Sequence, residues 1–405
     1  MTPTATIPRL LRFFAIVYAI EAIAQAKVGI LWQPLTHYLK EAHGWGPTEI
    51  SASLAVVDLP WVIKPLYGLI SDFVPLFGSR RRAWLLLANL AGTASFVAVA
   101  LSGAPAGIVP ALVLTAIAMA ISSTLCGALL VENGQRTGGS SAFVNQQWLF
   151  FNIALVAASL IGGQLAQHLE ASAALHAAAW IAAVAPLAVL PALALVQETP
   201  SRIDLPALRQ RFGALAQALR SRLLWLIAGY LFCYYFSPGF GTPLYFHMTD
   251  HLGFSQGFVG LLSSVNAAGW IAGGLFYRAA LRGRGTRDML RLSIAAGVVT
   301  TLAYLALTGP ISAVAVYFAA GIAAMLATIA TLTLAADVCP EGAEGFGFAA
   351  LMSTINLATP LGDTVGSALY EHVFAGQLAP LIVVSAGFTA LALPLLRFMP
   401  LPPPR

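Results

Sequence analysis

The sequence predicts an all-α membrane protein with twelve transmembrane helices in two pseudo-symmetric six-helix bundles, on three observations. First, 59% of the 405 residues are hydrophobic and 9% are charged, with a mean hydropathy of +0.81. A water-soluble domain carries roughly 25% charge, so a soluble globule is excluded. Second, apolar runs of about 20 residues, enough for a helix to cross the hydrocarbon layer, recur along the chain. Third, the basic residues gather in every second connection between those runs, as loops alternating between two sides of a membrane require.

The runs predict spans at 10–33, 49–71, 83–103, 107–132, 143–167, 174–197, 222–246, 256–279, 288–308, 311–336, 346–370 and 378–399. The first is too long, and too poor in a cleavage site, for a secretory signal peptide. The longest connection, 198–221, holds Pro200, Pro206 and several arginines. It separates an N-terminal bundle, 1–197, from a C-terminal bundle, 222–405. Its Leu205–Leu219 stretch suits either an amphipathic helix on the membrane surface or a solvated linker.

Eighteen of the 21 basic residues fall in the termini and the connections on one side, including Arg80, Arg81 and Arg82 after the second span. The positive-inside rule then predicts cytoplasmic termini. Lys27 and Lys64 lie within spans and Lys40 lies outside. Because the arginines sit in short turns rather than on one face, the net charge of +5 does not point to nucleic acid. Cys126, Cys233 and Cys339 lack metal or disulfide spacing, and no phosphate loop or nucleophile elbow is present. The chain is therefore expected to be no enzyme and to use no cofactor or metal.

An internal repeat joins the halves. Leu-Val-Glu132-Asn leads into a helix with Phe143, Asn152 and Gly162, and Ala-Ala-Asp337-Val leads into one with Phe348, Asn356 and Gly366. Trp61 and Trp270 follow a similar offset. Parallel repeats of this kind place a solute site near mid-membrane between the halves.

Charges within apolar runs are costly and read as functional. Lys64, Gly68 and Asp72 recur at i, i+4 and i+8, on one face of the second span. Gly68 permits close helix contact. Asp72 can meet the positive N-terminal end of the eleventh helix. Lys64 either joins a charge network that changes partners, sits in a static ion pair, or touches solute, with Glu21, Asp363 and Glu344 as possible partners. Asp58, about 240° round the helix from it, is not expected to pair with it. Glu21, Gln25 and Trp32 fall within about 40° of one another on the first helix and suit a wall for a flat heterocycle, with Lys27 on a different face. Lys27 serves either an anionic group or a neighbouring acid. Glu21, Asp58 and Asp363 are proton-site candidates, since burial shifts carboxyl protonation. The seventh span is dense in aromatics, Tyr234 among them, and its Pro238-Gly239 break suits a gating helix. Those rings either stack solute or pack. Asn356 lines the eleventh.

Pro60-Trp61-x2-Lys64-Pro65-Leu66-Tyr67-Gly68-x2-Ser71-Asp72-x2-Pro75-x2-Gly78-x-Arg80-Arg81-Arg82 resembles the signature of the folate–biopterin transporter family of the major facilitator superfamily. Tyr245-Phe246-x5-His251-Leu252-Gly253-Phe254-Ser255 and Cys339-Pro340-x-Gly342-x2-Glu344 are similar to further segments of that family. The resemblance implies a secondary transporter of a pterin or folate, with Gly68, Asp72, Arg80, Arg81, Arg82 and Glu344 forming a cytoplasmic gate. The expected mechanism is proton-coupled alternating access. Its expected partners are a small solute, protons or another coupling ion, and the lipid bilayer, around a monomer. Another organic anion, a siderophore or a drug is the alternative cargo, and a non-transporting receptor or membrane enzyme the alternative class. High Ala, Arg and Gly content with three lysines points to a GC-rich bacterial genome and hence the inner membrane.

Overall fold

The structure, a computed structural model, describes residues 3–196, 198, 219–338 and 344–399. Most of Leu205–Leu219 lies outside them. Among the described residues all regular structure is helical, apart from one isolated bridge between Leu76 and Ser79.

In the first part of the chain the helices are α1 (Pro3–Ala24), α2 (Trp32–His43), α3 (Pro47–Val62), α4 (Lys64–Phe73), α5 (Arg82–Leu101), α6 (Pro105–Thr137), α7 (Ser140–His168) and α8 (Ala171–Val184), the last continuing through short helical turns to Leu195. In the second part they are α9 (Arg222–Tyr235), α10 (Gly241–Phe246), α11 (Gln256–Phe276), α12 (Thr286–Ala303), α13 (Pro310–Val338), α14 (Glu344–Ala368) and α15 (Leu378–Leu395). The internal repeat is visible in the starting points. Helices starting at 82, 105, 140 and 171 are matched by helices starting at 286, 310, 344 and 378, offsets of 204, 205, 204 and 207 residues.

Nine helices among the described residues are long and apolar enough to cross a membrane, from Pro47–Ser71 to Leu378–Phe398. Large apolar side chains such as Leu114, Trp180 and Val299 stand exposed along them, as lipid-facing positions do. The predicted spans 10–33, 222–246 and 346–370 are not among the nine. The first two are broken helices. The third forms α14, whose Asn356, Thr359 and Asp363 lower its hydropathy.

The chain clusters into two compact units: Met1–Gly44 with Val57–Leu208, and Trp45–Val56 with Arg209–Arg405. The first unit is built around α1, whose Phe13, Phe14 and Tyr18 are buried, with Phe14 set 5.0 Å from Phe143 of α7. In the second unit, Tyr230 and Leu231 of α9 join Leu290 and Ile294 of α12, Leu334 of α13 and Leu351 of α14 in one apolar cluster. At the start of α3, within this unit, Glu371 accepts the backbone N–H of Thr48 at 3.1 Å. A carboxylate there satisfies a first-turn N–H that no helical carbonyl can reach.

Each unit breaks a helix for a local reason. After Ala24 the chain leaves α1, and Ile30 N–H returns to the Ile23 carbonyl at 3.2 Å. A Cβ on Gly29 would lie 2.3 Å from that carbonyl oxygen, so only glycine allows the turn. In the second unit, Pro238 has no N–H to donate to a continuing helix, and α9 ends at Tyr235. The chain instead lies against α14, where Gly239 N–H donates to the Gly362 carbonyl at 2.9 Å. The Gly239 carbonyl abuts Gly366 so closely that a Cβ there would have no room.

Candidate functional site

The break after Ala24 decides which polar groups meet. Glu21 and Gln25 remain one helical turn apart, and Gln25 Nε2 donates to Glu21 Oε1 at 3.2 Å. Lys27 lies in the turn, and its Nζ reaches Asp58 Oδ2 of α3 at 3.0 Å. Their side chains are 25% and 16% exposed, so the pair is largely shielded. Lys27 is thus bonded to a neighbouring acid, one of its two expected roles. The 100° periodicity that groups Trp32 with Glu21 and Gln25 does not run through residues 25–31. Trp32 instead opens α2, half-buried, its carbonyl accepting from Thr36 Oγ1 at 2.8 Å.

Lys64 starts a new helix. Pro65 lacks an N–H and crowds the preceding turn, so the helix breaks at Ile63 and resumes as α4. The break aims Lys64 at α6 rather than along α3. Its Nζ donates to Ser123 Oγ at 3.0 Å, and Ser123 Oγ donates to Glu21 Oε1 at 2.9 Å. The Trp61 ring lies under the ammonium, 4.7 Å from Nζ, in cation–π geometry. Glu21, one of the three expected partners, is thus reached through a hydroxyl rather than directly. Asp58 pairs with Lys27 rather than Lys64, from which it is separated by the break at Ile63. One α6 hydroxyl therefore holds an acid of α1 and a base of α4 in a bonded line, with an amide and an indole alongside.

Beyond α4 the chain turns through Phe77 and Gly78, both at positive φ, into the arginine cluster. Arg81 is 4% exposed. Its Nη2 and Nε donate to Glu132 Oε1 at 2.9 and 3.3 Å, and Nη1 donates to Ser71 Oγ. It ties the end of α4 to α6 and the start of α5. The Glu198 carboxylate accepts from Ser79 Oγ at 2.6 Å and from the backbone N–H groups of Arg80, Arg81 and Arg82 at 2.8, 2.9 and 3.2 Å. Burial pushes the Glu198 carboxyl up, but these four donors outweigh it and hold it below the usual carboxylate range. Gly68 is not needed for close packing within this unit, since a Cβ there would meet only Thr124 at an ordinary 3.5 Å. The side chains of Asp72 and Glu344 lie outside the described residues.

In the second unit, Tyr234 is 7% exposed, and its hydroxyl donates to Ser293 Oγ at 3.3 Å. Tyr235 shares a hydrogen bond with Thr331 Oγ1 at 3.0 Å. Asn356 is half-buried on α14. About two turns further on, Asp363 lies against the α9–α10 break, where a Cβ on Gly239 would collide with its carboxylate. The sequence reading passed over Ser123 and Glu198. Ser123 falls at i−3 to Cys126 in an apolar run, and only its contact with two charges distinguishes it. Glu198 is an acid at the exact end of a span, a cue to a helix-terminus partner.

A folate-biopterin transporter from Synechocystis is 29% identical over 402 residues, covering 93% of this chain and 79% of the relative. Among solved structures, the nucleoside transporter NupG aligns with a TM-score of 0.75 at 13% identity, covering 96% of this chain and 99% of that one. A D-xylose–proton symporter aligns with a TM-score of 0.70 at 13% identity, covering 99% and 98%. This chain shares the fold of these two transporters. The model of the BT1 family matches residues 26–403. The chain is accordingly a multi-pass membrane transporter rather than an enzyme, and it belongs to the BT1 family.

Proposed function

We propose that this chain is a proton-coupled secondary transporter of a pterin- or folate-like solute, working by alternating access between two six-helix halves, 1–197 and 222–405, joined by 198–221. The observation that carries the reading is the bonded line Glu21–Ser123–Lys64, with Gln25 and Trp61 beside it. A carboxylate and an amide suit the donor and acceptor edge of a pteridine, and an indole suits its face. The name of the Synechocystis relative supports the same solute class.

In this reading Glu21, Gln25, Lys27, Trp32, Trp61, Tyr234 and Asn356 form the solute-facing set. Asp58, Lys64, Asp363 and Glu21 form the charge network that responds to protons, and Gly68, Asp72, Arg80, Arg81, Arg82 and Glu344 close the cytoplasmic side. The protein sits as a monomer in the inner membrane with both termini cytoplasmic. The test is uptake of labelled folic acid and of a labelled pterin into proteoliposomes, with and without an inward proton gradient. Accumulation that rises with the gradient supports the reading. Uptake indifferent to pH removes the proton, and no uptake of either compound removes the solute class.

A further inference from the structure

We propose that Ser123 is the positioning residue that links the proton on Glu21 to the binding of an organic anion at Lys64; this rests on the proton coupling proposed above. Both donors that reach Glu21, the Ser123 hydroxyl at 2.9 Å and the Gln25 amide at 3.2 Å, go to one oxygen, Oε1. The other oxygen, Oε2, accepts no hydrogen bond among the described residues and is the atom that takes a proton. The Lys64 ammonium does not touch Glu21; its hydrogen bond ends on Ser123 Oγ at 3.0 Å. One hydroxyl therefore accepts from the cation and donates to the anion, so its orientation follows both charges.

The other ionisable groups around Glu21 are few. Tyr18 lies one turn away on α1, and Cys126 follows one turn after Ser123 on α6. Helix α7 packs along α1 and carries His168, at its far end, as its one ionisable residue. Lys27, the remaining cation of this stretch, is bonded to Asp58. With Glu21 ionised, the line Glu21–Ser123–Lys64 is neutral. When Glu21 Oε2 takes up one proton, its negative charge disappears and the line carries a charge of +1 on Lys64. A cation in an apolar segment then requires a new counter-ion. A solute carboxylate supplies it, so proton and organic anion load together. Release of the proton restores the internal partner and expels the anion.

Infrared difference spectroscopy of the protein in liposomes, titrated in pH, reads the protonated carboxyl stretch directly and needs no solute. The wild type is expected to show one band that Glu21→Gln removes. Ser123→Ala takes away a donor to the carboxylate and is expected to keep the band to a pH higher by about one unit or more. Ser123→Thr, which keeps the hydroxyl, is expected to restore the wild-type midpoint. In a Lys64→Gln background, Ser123→Ala is expected to move the midpoint less than it does alone, because the relayed charge is gone. A wild type with no such band, a band that survives Glu21→Gln, or a midpoint unmoved by Ser123→Ala would each overturn the proposal. Folic acid is then added. A midpoint raised by folic acid in the wild type supports the coupling to an anion. If folic acid leaves the midpoint unchanged while it is still taken up, the coupling fails and the transport reading stands. If the protein neither binds nor transports folic acid, the substrate reading fails, and the titration of Glu21 through Ser123 is judged by the ligand-free arms.

Discussion

The α1–α2 break of the first unit carries an ion pair, whereas the α9–α10 break of the second unit combines hydroxyl and peptide bonds with the Asp363 carboxylate packed against Gly239. Lys27 in the α1–α2 turn meets Asp58 at 3.0 Å. In the α9–α10 break, Ser237 bonds Ser385 at 2.8 Å and Gly239 donates to the Gly362 carbonyl at 2.9 Å. The contrast extends beyond the breaks. Glu21, Lys64, Arg81 and Glu132 make charged contacts in the first unit, while Tyr234–Ser293 and Tyr235–Thr331 are neutral contacts within the core of the second. Hydroxyl and peptide bonds keep their strength across the physiological pH range, whereas carboxylate bonds are lost on protonation. The internal repeat thus preserves the position of the break but not the chemistry that holds it.

The largest expected effect tests the α9–α10 break. Gly366→Leu places a side chain where the Gly239 carbonyl already sits, and α14 must move away. Overpacking of this kind costs about 3 kcal/mol or more. We expect a large drop in melting temperature in detergent at every pH tested. A variant as stable as the wild type would show that the contact is not a support.

The charged break should fail differently. Lys27→Ala leaves Asp58 shielded and without its cation, at a cost of about 2 kcal/mol once partial exposure is allowed for. Lys27→Met combined with Asp58→Leu removes both charges and should recover most of the stability while abolishing transport. A double variant no more stable than Lys27→Ala would mean that the pair is not a charge-compensated unit.

A third test uses Glu198. Its folded carboxyl lies below the usual range because Ser79 and three backbone N–H groups favour the ionised form. The unfolded chain therefore takes up the proton at a higher pH than the folded one. The stabilisation is complete above the ordinary glutamate pKa of about 4.3 and fades as pH falls through the folded value. Glu198→Gln should cost about 1 kcal/mol at pH 7, the size of a helix cap, and progressively less on acidification. A penalty independent of pH would remove the ionised cap.

Much of this arrangement was legible in the sequence, and the parts that were not share a cause. Composition, run length and arginine placement specify the helical membrane fold, because each follows from the cost of polar groups in hydrocarbon. The Lys64–Glu21 relation was among the expected partners, whereas the angle that separated Asp58 from Lys64 was drawn through the break at Ile63. The grouping of Trp32 with Glu21 failed because the angle was carried through residues that are not helical, and Gly29, which permits the turn, looks like any other glycine of an apolar run. Ser123 was missed because a serine in a helix most often bonds its own backbone. Only tertiary structure brings it between two charges 59 and 102 residues away in the chain.

The smallest expected effect is at Tyr234, and it separates a packing ring from a solute contact. The side chain is buried in the apolar cluster of the second unit, and its hydroxyl bond to Ser293 is long, at 3.3 Å. Tyr234→Phe keeps the ring and its stacking on Tyr230, whose centroid is 6.3 Å away. Ser293 keeps its own bond to the Leu290 carbonyl at 2.9 Å, so no donor is stranded. Removing the phenol should therefore cost less than about 1 kcal/mol. If Tyr234 only packs, KM for the transported solute stays at the wild-type value. A KM that rises while the melting temperature stays put would place the phenol in contact with solute.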